Sequence, residues 1–81
     1  MHIGGVILGA GMVLHLLPAY YLHGTQQVHF LLHRIIEVRQ EQDTDWVVLE
    51  GREHPSERHG WRQRRLQVRV ADLKASLVLA A

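Results

Sequence analysis

Residues Ile3–Leu22, IGGVILGAGMVLHLLPAYYL, constrain the chain most: 20 consecutive residues contain no Asp, Glu, Lys or Arg. At about 1.5 Å rise per residue, a helix of that length crosses roughly 30 Å of hydrocarbon. The run predicts a transmembrane helix within residues 1–24. Three alternatives compete. A secretory signal would carry a basic leading segment, but only Met1 and His2 precede the run. A dinucleotide-binding turn is suggested by VILGAGMVL, yet Leu14 stands where GxGxxG needs its third glycine. An 81-residue chain also has no room for the doubly wound sheet behind that motif. The third alternative is a soluble or virion-associated oligomer with the apolar segment buried between chains.

Within the run, Gly5 and Gly9 form a GxxxG and Gly11 extends the small surface. On a helix these positions would let a second helix approach closely in lipid. Tyr20 and Tyr21 close the run where interfacial aromatic anchors are expected. Pro18 is the feature that resists a continuous helix, since it removes one backbone donor.

Residues 25–43 carry Val28, Leu31, Leu32, Ile35 and Ile36 at spacings of three and four, with Arg34, Glu37, Arg39, Gln40 and Glu41 beside them. That spacing predicts an amphipathic helix after a Thr25 N-cap. Residues 44–81 read as a small polar tail. Trp46–Leu49 is β-prone, GREHPSERHG is a loop, and Leu66, Val68 and Val70 alternate with Arg65, Gln67 and Arg69 as in a half-exposed strand. A helix capped by Asp72 is expected to follow. The fold class expected is mainly α: a transmembrane-like helix, an amphipathic helix, then a short α+β or helical tail.

Charge is segregated. Residues 37–50 hold five carboxylates against Arg39, and residues 52–69 hold six arginines against Glu53 and Glu57. Such blocks can pair within a hairpin or between subunits, setting orientation and partner choice. The basic stretch, with Arg58, Arg62, Arg64, Arg65 and Arg69, is the charged interaction surface the sequence offers, to lipid headgroups ahead of nucleic acid. With eight Arg to one Lys and no Asn, a GC-rich bacterial or phage source is expected.

Seven histidines invite a search for ligands. His15, alone in the apolar run, could bind the metal of a haem or chlorophyll as an axial imidazole. His29 and His33, four apart on the expected helix, would make a two-ligand metal clip. His54, Glu57 and His59 share one loop. No cofactor is required by the sequence. The chain has no Cys, and its two serines, Ser56 and Ser76, lack a nucleophile setting, so an enzyme is not expected. The function expected is that of a single-pass accessory subunit, packed helix to helix against other membrane subunits or itself. By the positive-inside bias it would sit in a bacterial inner membrane with the N-terminus outside and the C-terminus cytoplasmic. A cofactor-bearing subunit using His15 is the further alternative.

Overall fold

Glycine decides the fate of the apolar run. In the computed structural model, which describes residues 1–54 and 62–77, Gly4, Gly5 and Gly11 have φ of 59°, 79° and 91°. A right-handed helix needs φ near −63°, so the run cannot be one helix. It folds instead as β1 (His2–Ile3), a two-residue glycine turn, β2 (Val6–Ile7), a second turn, and β3 (Val13–Leu16). Pro18 then opens a 3-10 turn over Pro18–Tyr20, where its missing N–H is no loss.

Strand β4 (Val28–Glu41) pairs with β5 (Thr44–His54), and β5 pairs with β6 (Arg62–Arg69). The order is β3-β4-β5-β6, antiparallel throughout. A 3-10 turn (Val70–Asp72) and a one-turn helix, α1 (Leu73–Ser76), follow. The sheet curls until both margins are met. Tyr21 bridges to Val68, the Leu22 amide donates to the Gln67 carbonyl at 2.9 Å, and Leu77 bridges to Leu14. Leu14, Leu16, Val28, Phe30, Leu32, Val47, Leu49, Leu66, Val68 and Leu73 fill the interior, with Ile3, Val6 and Leu8 from the N-terminal hairpin. Each such side chain, fully buried, contributes about 1.5–3 kcal/mol.

The mainly α expectation is therefore overturned. Among the described residues the only α-helix is the single turn Leu73–Ser76. None of their helices is long and apolar enough to cross a membrane. With the span go the single-pass accessory subunit, its inner-membrane location and its orientation. Of the run's apolar side chains, Ile3, Val6, Leu8, Leu14, Leu16 and Tyr21 are buried in this chain's own core, while Ile7, Val13, Leu17 and Leu22 are exposed. Gly5, Gly9 and Gly11 make no helix contact. They lie at turns, and a Cβ added at any of them would meet nothing within 4 Å. Tyr21 is a core residue, its hydroxyl donating to the Gln26 carbonyl at 2.5 Å, and Tyr20 packs against the same core.

The helical spacing of residues 25–43 has a specific origin. β4 has register shifts at Leu32/Arg34 and Ile35/Glu37, so His33 and Ile36 are extra residues without a β5 partner. Each bulge turns an inward period of two into three. By register Val28, Phe30, Leu32, Ile35 and Val38 share the inward side, a progression that imitates a helical stripe. Strand β3 covers β4 only through Leu31, and the Gly11 and Met12 backbone extends that cover to Leu32. The two-residue loop Gln42–Asp43 joins β4 to β5 with φ of 49° and 64°, as a primed hairpin turn requires.

Candidate functional site

The outward side of the sheet carries the polar chemistry, because strand alternation sends it there. On β5, Val47, Leu49, Gly51 and Glu53 point inward, while Trp46, Val48, Glu50 and Arg52 point out. Three features stand out along this hairpin.

Glu50 lies between Arg34 on β4 and Arg65 on β6, directly opposite both in register. Arg34 Nε donates to one carboxylate oxygen at 3.0 Å and Arg65 Nε to the other at 2.9 Å. These two hydrogen bonds, Arg34 first, hold the Glu50 carboxyl below the usual carboxylate range, against a smaller opposing effect of burial. Glu53 is the second feature. It faces inward near the end of β5, fully buried, and receives Arg62 Nη2 at 2.8 Å and Arg64 Nη1 at 2.7 Å. Arg62, Arg64 and Arg65, named from sequence as an interaction surface, are thus each held by a carboxylate of β5. Arg58 lies outside the described residues, as do Glu57 and His59.

The third feature is the row Arg39–Trp46–Arg69 near the hairpin tip. Trp46 is half-buried, and the Arg69 guanidinium carbon lies 5.7 Å from its ring centroid. Such a cation–π contact contributes about 0.5–1 kcal/mol at an exposed site. Arg69 also reaches Asp72 at 3.8 Å, and Arg39 lies 3.2 Å from Glu37 and 2.8 Å from Glu41. Beside the row is a groove of about 370 Å³ lined by Asp43, Thr44, Asp45, Arg69, Val70 and Ala71. Hairpin tip and 3-10 turn form its two walls. Residues 37–45 hold Glu37, Glu41, Asp43 and Asp45 against Arg39, three net negative charges in that stretch, with Arg69 across the groove from Asp43 and Asp45. Trp46 was legible in sequence only as part of a β-prone run. Its register with two arginines was not.

The histidines are redistributed. His15 lies on β3, not within an apolar helix. It stands opposite His29 of β4, and their ring centroids are 4.8 Å apart. His29 and His33 do not form the helical clip. On an extended strand four residues span roughly 13 Å, and His33 is itself a bulge residue. Among the described residues, no group of three or more His, Asp or Glu side chains is placed to hold a metal ion.

No protein-family model matches the chain, and no curated protein or solved structure matches it.

Proposed function

We propose that the chain is a binding module, not a catalyst, and that it engages a cationic protein segment at the hairpin tip. The observation that carries the reading is Trp46. An aromatic ring of this size sits half-buried on the outward row between Arg39 and Arg69, and Arg69 also lines the 370 Å³ groove. Tryptophan and arginine are the residue types that dominate interface energetics when a partner desolvates them. The carboxylates of Glu37, Glu41, Asp43 and Asp45 give the same end a sign, and that sign selects a Lys- or Arg-bearing partner. The basic strand β6 is a weaker candidate for phosphate. Arg62, Arg64 and Arg65 are already within hydrogen-bond distance of Glu53 and Glu50.

Affinity capture tests this, with wild type, W46A and D43N/D45N as bait and each bait's fold checked by circular dichroism. The reading expects one retained partner, lost with W46A, weakened with D43N/D45N, and weakened further by raised salt. Retention unchanged by both variants would overturn it.

A further inference from the structure

We propose that His15 and His29 form a two-point chelate for a divalent late first-row metal ion, Cu²⁺ ahead of Zn²⁺, on the outward face of the β3–β4 pair. The two residues are 14 apart in sequence, yet directly opposed in the sheet. Their strand neighbours Leu14, Leu16, Val28 and Phe30 are all buried, so alternation sends both imidazoles away from the core. The ring centroids are 4.8 Å apart and the rings are tilted by 53°.

That separation suits a shared metal. With metal–nitrogen bonds of about 2.0–2.1 Å plus the ring radius, two imidazoles on one ion have centroids about 4.5–5.2 Å apart for N–metal–N angles of about 90–110°. The observed value falls inside that interval without moving the backbone. Opposed positions on paired strands also keep the two Cα atoms fixed, so little order has to be created on binding.

Gln27 adds a chemical detail. Its amide nitrogen meets His15 Nε2. Gln27 therefore competes with the ion for that nitrogen. Arg52 stands on the neighbouring outward row, opposite Leu31. The same row of the sheet continues to His54, opposite His29 in the backbone register. With two imidazoles as its protein ligands, the ion keeps open positions for water or for a donor on another molecule.

The test is calorimetric titration of the full chain with Cu²⁺ and Zn²⁺ salts, for wild type, H15Q, H29Q, H2Q and H33Q. Nitrogen-15 NMR of the histidine rings during Cu²⁺ addition runs in parallel. The proposal expects one site, tighter for Cu²⁺ than Zn²⁺. H15Q and H29Q should each weaken it roughly tenfold or more, since even an outer-shell partner is worth 10–100-fold. H2Q and H33Q should leave it unchanged, and Q27A should tighten it. In wild type, Cu²⁺ should broaden the His15 and His29 ring signals before the other histidines. If H15Q or H29Q binds as wild type does, or if broadening begins at other histidines, the chelate is refuted. The ring spectra decide the matter even if a variant fails to fold.

Discussion

Removing the two arginines that hold Glu53 should cost far more than removing Glu53 itself, although both changes break the same ion pairs. The Glu53 side chain is 0% exposed, whereas those of Arg62 and Arg64 are 65% and 35% exposed. In R62A/R64A a carboxylate is left buried without a partner, a loss of about 3–5 kcal/mol. In E53Q the volume is kept, the amide oxygen still accepts from one guanidinium, and the other guanidinium returns to water. The loss there is about 1–2 kcal/mol. An 81-residue domain has roughly 4–12 kcal/mol in total, so R62A/R64A approaches the limit of folding. Urea unfolding followed by tryptophan fluorescence, with the slope constant across variants, measures the difference. The triple variant E53M/R62M/R64M removes every charge and should recover most of what R62A/R64A loses. If E53Q is as damaging as R62A/R64A, or if the triple variant recovers nothing, burial asymmetry does not govern this site.

Gly51→Ala should lose about 1–3 kcal/mol in the same assay. A Cβ there would run into the Leu31 carbonyl and the Phe30 ring, an overpacking with no room to relax. Gln42→Gly should raise stability by about 0.5–1 kcal/mol, because Gln42 occupies left-handed φ that only glycine adopts freely; a loss would mean the Gln42 side chain has a role the backbone does not reveal. Glu50, with its folded pKa lowered by Arg34 and Arg65, stabilises the fold above the ordinary carboxylate pKa of about 4.3. That contribution disappears as pH falls through the lowered folded value, so the stability gap between wild type and E50Q should close in acid. A gap independent of pH would contradict the assignment.

Some of this architecture was written plainly in the sequence. Leu66 and Val68 alternate with Arg65, Gln67 and Arg69, and β6 runs through them. Trp46, Val47 and Val48 are aromatic or β-branched, and Trp46–Leu49 lies in β5. Elsewhere two physical effects misled. A hydropathy window sees the 20 apolar residues but not the left-handed φ of Gly4, Gly5 and Gly11, which cut them into short strands. The bulges at His33 and Ile36 stretch the inward period of β4 to three, while its content of Val28, Phe30, Ile35, Ile36 and Val38 was the better guide. The opposed charge blocks were legible as blocks, but which arginine meets which glutamate depends on register. The pairing of His15 with His29 depends on it too, and no local spacing encodes it.

Past Leu32, no described strand pairs with the far side of β4, leaving the segment HRIIEVRQE with backbone groups open to a passing chain. Ile35, Ile36 and Val38 make this the kind of strand that templates cross-β stacking. The bulges that disguised β4 as a helix also break the regular donor–acceptor spacing a stacking strand would need. Arg34, Glu37, Arg39 and Glu41 add charges that an added strand would have to accommodate. The irregularity of β4 thus works against edge-to-edge stacking: among the described residues a long, β-prone margin has no strand partner, yet its spacing and charges make it a poor seed for fibrils.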